Sequence, residues 1–155
     1  MALDFEAAQA VCEALLEKTR IGILDGDLDV FKECFALPHA VETFEGRRVL
    51  ETIEELEDLL HCVREHYHSL GTTDLVRHMV AAEWLSDNKL RASVECRVLN
   101  GVQLVLAPYI IFANYEKIDG MWKIRDSIYV IDDAPLYMRA LSYGSIGRLS
   151  KTAAQ

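Results

Sequence analysis

The chain has 155 residues, with 25 acidic against 16 basic side chains and a formal charge of -9, in a mass of 17.5 kDa. That length suits one domain with a real core, and the acidic balance argues against a nucleic-acid or anionic-membrane partner, which would need a basic patch. With hydrophobic residues at 51 %, disorder is not expected outside the chain ends.

The chain has no run of eighteen apolar residues, so no transmembrane helix is expected. Asp4 and Glu6 stand where a secretory signal would carry Lys or Arg. Cys12, Cys34, Cys62 and Cys96 are isolated, without a Cys-x-x-Cys pair. The pattern predicts buried, reduced thiols in a cytoplasmic protein.

Residues 5–24 carry Ala8, Val11, Cys12, Leu15 and Leu16 at helical steps, and Gly22 and Asp25-Gly26-Asp27 close that helix. Asp27 is placed to cap a second helix over 28–35 that buries Phe31 and Phe35. Leu37-Pro38 stops it, because a residue before proline is pushed out of the α region. His39 then follows in a loop, with no evident role, and opens a short extended segment to Leu50 with a turn at Glu45-Gly46.

A third helix spans about 50–70, with Ile53, Leu56, Leu60, Val63, Tyr67 and Leu70 as its stripe and Gly71 just past its end. His61, Glu65 and His68 share one face of it, at metal-like spacing. That face lies nearly opposite the apolar stripe, so it reads as a solvated surface and no metal site is expected.

Three or four strand-like runs follow in succession in 75–133, joined at Ser86-Asp87-Asn88, Asn100-Gly101 and Asp119-Gly120. In the second run Leu90, Ala92, Val94, Cys96 and Val98 alternate with polar residues, so one face is dry. The third run, from Val102 to Ile118, is apolar on both faces: Leu104, Leu106, Ile110 and Phe112 on one, Val105, Ala107, Tyr109 and Ile111 on the other. A strand apolar on both sides has a neighbour on each, which predicts a homodimer through the outer sheet face. Past Pro135 a short helix or turn over 136–141 is expected, giving one domain over 1–141 and a loose tail over 142–155.

Strand parity nominates the chemistry. His78 shares parity with Val76, Val80, Ala82 and Trp84, so its imidazole is expected in an apolar pocket as a general acid or base. Asp126 lies between Trp122, Ile124, Ile128 and Val130 in the last run, on what alternation makes an apolar face. A carboxylate there needs a partner, and His78 is the candidate, unless a bulge turns Asp126 outward. Among the aromatics, Phe44, Trp84, Tyr109 and Trp122 pack the core and are the candidates to line a pocket for a small molecule. The sequence carries no phosphate-binding glycine loop, nucleophile elbow or zinc spacing, and no cofactor is expected.

Three pieces of sequence carry a resemblance. They are Leu24-Asp25-Gly26-Asp27-Leu28-Asp29 at the first helix end, Arg77-His78 opening the first long strand, and Asp119-Gly120-Met121-Trp122-Lys123-Ile124 opening the last. In their order and spacing the chain resembles the nuclear-transport-factor-2-like superfamily, and within it the SnoaL-like polyketide cyclase group. The last two pieces are also similar to the β subunit of ring-hydroxylating dioxygenases. The resemblance implies an α+β fold, a curved antiparallel sheet forming a cone with N-terminal helices on its concave face. It also implies an apolar pocket suited to cofactor-free isomerase, dehydratase or cyclase chemistry. The alternative it implies is a non-catalytic dimeric assembly module like that β subunit. Ketosteroid isomerases share the fold, but at the position matching their aspartate base this chain has Thr43, which argues against that activity.

Overall fold

A computed structural model describes residues 5–130. The helix or turn expected over 136–141 and the tail over 142–155 lie outside the described residues, and with them the end of the predicted domain.

The first element of the described residues is helix α1 (Phe5–Asp25), which buries Ala8, Cys12, Leu15, Leu16, Thr19 and Gly22 along one side. The short helix α2 (Leu28–Lys32) is capped as expected, with Asp27 Oδ1 accepting from the Val30 N–H at 3.2 Å. It packs tightly on α1, because a Cβ on Gly22 would lie 2.7 Å from Cβ of Phe31. The predicted second helix ends early, since Phe35 already belongs to the first strand.

Strands β1 (Phe35–Thr43) and β2 (Gly46–Leu50) form a hairpin. Helix α3 (Ile53–Ser69) follows, with Thr52 accepting from the Glu55 N–H at its start. Gly71, at φ 69°, takes the left-handed position after its end. Its buried stripe is Leu56, Leu59, Leu60, Cys62, Val63 and Tyr67, while Ile53 is exposed in the first turn. Arg48 and Asp58, 2.8 Å apart, tie β2 to this helix.

The meander comprises β3 (Asp74–Ser86), β4 (Lys89–Asn100), β5 (Gln103–Leu104), β6 (Tyr109–Ile118) and β7 (Met121–Val130). The seven strands form one sheet in the order β2-β1-β7-β6-β4-β3, with β5 paired to β4 off that path. Every pairing is antiparallel except β1 on β7, which is parallel. The sheet is curved and unclosed, and its concave face carries the helices. Leu15, Leu16, Leu56, Leu59, Val63 and Tyr67 from the helices join Val41, Val94, Cys96 and Tyr109 from the sheet in one core. This is the α+β cone expected from the element order. No helix among the described residues is long and apolar enough to cross a membrane.

Two departures matter. The third apolar run is not one strand: β5 stops at Leu104 and β6 starts at Tyr109, with Pro108, which has no N–H for a ladder, between them. The segment after Pro38 is extended as expected, but His39 is not in a loop. It lies in the second half of β1, and pairing with β7 places it inside the sheet. All four cysteines are buried and free, as their isolation predicted.

Candidate functional site

The site is set by two β-bulges. On β3 the register against β4 slips between Met79 and Ala81, leaving Val80 as an extra residue. On β7 the register against β6 passes from Ile124 to Asp126, leaving Arg125 extra. Side chains alternate strictly along a strand, so one inserted residue exchanges the faces on either side of it. On β3, therefore, Leu75, Arg77 and Met79 turn inward before the bulge, and Ala82 and Trp84 after it. On β7, Trp122 and Ile124 turn inward before the bulge, and Ser127 and Tyr129 after it.

The inward residues enclose a cavity of about 50 Å³ between α1, α3 and the sheet. Its wall is mostly apolar, with Phe31, Phe35, Val63, Val94, Ile111 and Ile124 among the lining side chains. A few polar groups converge on it: His39, Arg77, Ser127 and the phenols of Tyr67, Tyr109, Tyr115 and Tyr129. No carboxylate lines it among the described residues.

His39, only 1 % exposed, points Nδ1 at the carbonyl oxygens of Ile124 (3.2 Å) and Arg125 (3.0 Å). Carbonyls only accept, so Nδ1 carries the hydrogen and Nε2 keeps its lone pair. Burial pushes this imidazole down to about 4, against the two carbonyls, which favour its charged form. His39 is therefore neutral at pH 7.

The Arg77 guanidinium, half-buried, reaches α1 and donates through Nη2 to Leu16 O at 2.7 Å and Thr19 Oγ1 at 2.9 Å. The Tyr67 and Tyr109 hydroxyls stand 3.4 Å apart. Cys12 Sγ donates to the Tyr115 hydroxyl at 3.2 Å. Burial raises Tyr115 well above its ordinary value and pushes Tyr129 up to about 12, with the Arg77 charge pulling both the other way. Burial likewise raises the Cys12, Cys34 and Cys96 thiols, Cys34 to about 11. These phenols and thiols are protonated at neutral pH, so none is an activated nucleophile.

The bulges correct the parity behind the first candidates. His78 faces outward, its side chain 49 % exposed and its Nε2 3.9 Å from Glu95 Oε1. Asp126 also faces outward, and accepts from Asn114 Nδ2 at 2.7 Å. Strands β4 and β6 lie between β3 and β7, so the two side chains stand three strand spacings apart, about 14 Å along the sheet. The structure does not bring them together, and neither lines the cavity.

Of the aromatic candidates, Tyr109 lines the cavity. Trp84 and Trp122 face inward beyond it and stack edge-to-face on each other, centroids 5.8 Å apart. Phe44 sits at the tip of the β1–β2 hairpin and is 65 % exposed. On α3, His61 Nε2 contacts Glu65 Oε1 at 2.8 Å on the solvent face, and no grouping that could hold a metal occurs among the described residues.

Sequence reading missed His39 and Arg77. The signal for Arg77 was its adjacency to His78: whichever of the two turns inward, the other turns out. For His39 the signal was Val41 and Thr43, which continue an inward alternation from it and are both buried.

No protein-family model matches the sequence, and no curated protein does. Solved structures do share the fold. A protein of unknown function with a cystatin-like fold from Nostoc punctiforme superposes with a TM-score of 0.61 at 17 % identity, covering 86 % of this chain and 97 % of its own. A nuclear-transport-factor-2-like protein of unknown function from Shewanella oneidensis gives 0.61 at 14 %, covering 78 % and 97 %. The hexachlorocyclohexane dehydrochlorinase LinA-type3 from Novosphingobium barchaimii gives 0.59 at 18 %, covering 84 % and 90 %. The fold is that of the nuclear-transport-factor-2-like, or cystatin-like, proteins.

His39 gives the site a pH signature. Its value falls from the ordinary 6.5 to about 4, so between those values the unfolded chain takes up a proton that the folded chain refuses. Its stabilising contribution is complete above pH 6.5 and is lost as pH falls toward 4, at about 1.4 kcal/mol per unit, or roughly 2–3 kcal/mol by pH 4.5. His66, which burial also lowers to about 4, acts in the same direction. Urea unfolding at pH 7 and 4.5 should therefore show a steeper loss for the wild type than for His39→Gln. Equal losses in the two proteins would contradict the buried, neutral assignment.

Proposed function

We propose that the protein binds a compact, largely apolar organic molecule in the cone cavity. The observation that carries this reading is the convergence of His39, Arg77, Tyr67 and Tyr109 on a wall that is otherwise apolar. Small-molecule sites are built this way, from apolar surface with a few placed polar groups. The volume sets the size class, since about 50 Å³ is well short of the roughly 300–1,000 Å³ of drug-sized sites.

The chemistry these groups suit is cofactor-free proton transfer, in the isomerase, dehydratase or cyclase range that the SnoaL-like resemblance implies. His39 Nε2 is an uncharged acceptor, and the phenols are donors held in their protonated form. The name of the dehydrochlorinase neighbours denotes removal of HCl, a reaction that also needs a proton acceptor. In this reading His39 takes the acid–base role first assigned to His78 and Asp126, and Tyr109 keeps its place as a ligand contact. A cytoplasmic setting, supported by the four free thiols, remains part of the proposal.

A fragment screen by methyl NMR tests the reading. Binders should shift the Val63, Val94 and Ile111 methyls, and Val94→Phe, which fills the cavity, should abolish binding while far-UV circular dichroism is retained. Binding that survives Val94→Phe, or that shifts only outward-facing residues, would sink it.

A second reading, compatible with the first, concerns the outer sheet face. Phe112 and Ile128 are cross-strand neighbours there, 47 % and 43 % exposed, with Ile110 and Val130 paired next to them. An exposed apolar cluster of this kind supports a homodimer through that face. His78 and Asp126 would then serve the interface as polar contacts around the cluster. Light scattering at about 100 µM should give twice the chain mass, and Phe112→Glu should halve it. A monomeric wild type rules the dimer out.

A further inference from the structure

Arg77 is the one cationic side chain among the described residues that line the cavity, and its hydrogen bonding is incomplete. Both of its bonds run from Nη2, to Leu16 O and Thr19 Oγ1, and both acceptors are neutral. A guanidinium has five N–H donors in a rigid planar fork. Among the described residues the Nε–H and the Nη1 amino group therefore have no acceptor, and no carboxylate of those residues lies within 4.0 Å of any nitrogen. Nη2 belongs to both two-pronged edges of the fork, so the Nε–H and the Nη1 amino group each offer a carboxylate a single charge-assisted hydrogen bond.

A cation beside an apolar cavity is costly without a counter-charge. Its charge reaches the cavity groups, since it acts on Cys12, Cys96, Tyr115 and Tyr129 alike. The phenols add neutral donors and no competing negative charge. Arg77 also borders a surface groove on its other side, but Glu13, Glu17 and Asp74 line that groove, and the further cation there, Arg20, is already paired with Glu17 and Asp74. An anion is disfavoured there and favoured in the cavity.

We infer that the cavity selects an anion, with Arg77 holding the carboxylate of a compact monocarboxylic acid whose apolar end packs among Val94, Ile111 and Val63. This rests on the cavity reading above and adds the charge of the ligand to it. A single carboxylate suits the single guanidinium charge, and a short apolar tail suits the small volume.

Butanoate and butanamide, matched in shape and differing in charge, make the test. Charge-assisted bonds to Arg77 should make butanoate bind at least about tenfold more tightly, with shifts at the Val94 and Ile111 methyls. Arg77→Gln should erase that discrimination, and Arg77→Lys, which keeps the charge but loses the fork, should retain part of it. If Arg77→Gln does not fold by circular dichroism, the wild-type comparison and Arg77→Lys still decide. Equal binding of acid and amide, or discrimination that survives Arg77→Gln, overturns the anion inference while leaving the cavity reading intact. If neither probe nor any fragment shifts the cavity methyls, the cavity reading fails and the inference goes with it.

Discussion

The bulge at Arg125 on β7 is the constraint on which the rest depends, and a small set of contacts holds it. His39 Nδ1 bonds to the carbonyls of Ile124 and Arg125, on either side of the slip. The Arg125 guanidinium bonds in turn to Pro38 O and to Glu116. Opposite it, β1 slips its own register between Phe35 and Ala40, so both strands of the parallel pair are irregular at the same level. A bulge strengthens the local twist and bends the strand, and a strand bent there can curl over α1 and α3. A carbonyl buried there without a donor would cost of the order of 1–3 kcal/mol. A buried, neutral histidine at position 39 meets that need.

The second bulge, at Val80, does the same for β3 near the open edge of the sheet. Its consequence is electrostatic. With Val80 inserted, Arg77 turns toward α1 and the cavity, while His78 turns toward Glu95 on the outer face. A cavity with His78 inside would hold a titratable imidazole and no fixed charge. With Arg77 it has a permanent cation, a neutral histidine and phenols that burial keeps protonated. The first arrangement would be a generic acid–base pocket; the second is biased toward negative charge.

Much of the fold was legible in the sequence because it is encoded locally. Asp119 and Gly120 both adopt positive φ, at 51° and 81°, which is what an Asp-Gly hairpin turn predicts. The alternation of Leu90 to Val98 survives intact because β4 is central and regular over that span. Asp27 and Gly71 mark their helix ends through chemistry confined to one turn. The candidate site was not legible, because it depends on where alternation breaks. On β3 and β7 the apolar residues on both sides of each bulge were read as one continuous face. Val76, His78 and Val80 were joined to Ala82 and Trp84, and Trp122 and Ile124 to Ile128 and Val130. A run that is apolar on both faces gives no local sign of an inserted residue. The parallel pairing of β1 with β7 joins residues almost ninety positions apart, which no periodicity reports, and His39 has meaning only within it.

The most direct measurement is the set of nuclear Overhauser contacts made by Thr19, whose hydroxyl lies 2.9 Å from Arg77 Nη2. The account predicts cross-peaks from the Thr19 methyl to the Arg77 δ-methylene and none to the His78 imidazole. Cross-peaks to His78 in place of Arg77 would mean that β3 runs without its bulge, and both the cavity chemistry and its preference for anions would have to be abandoned.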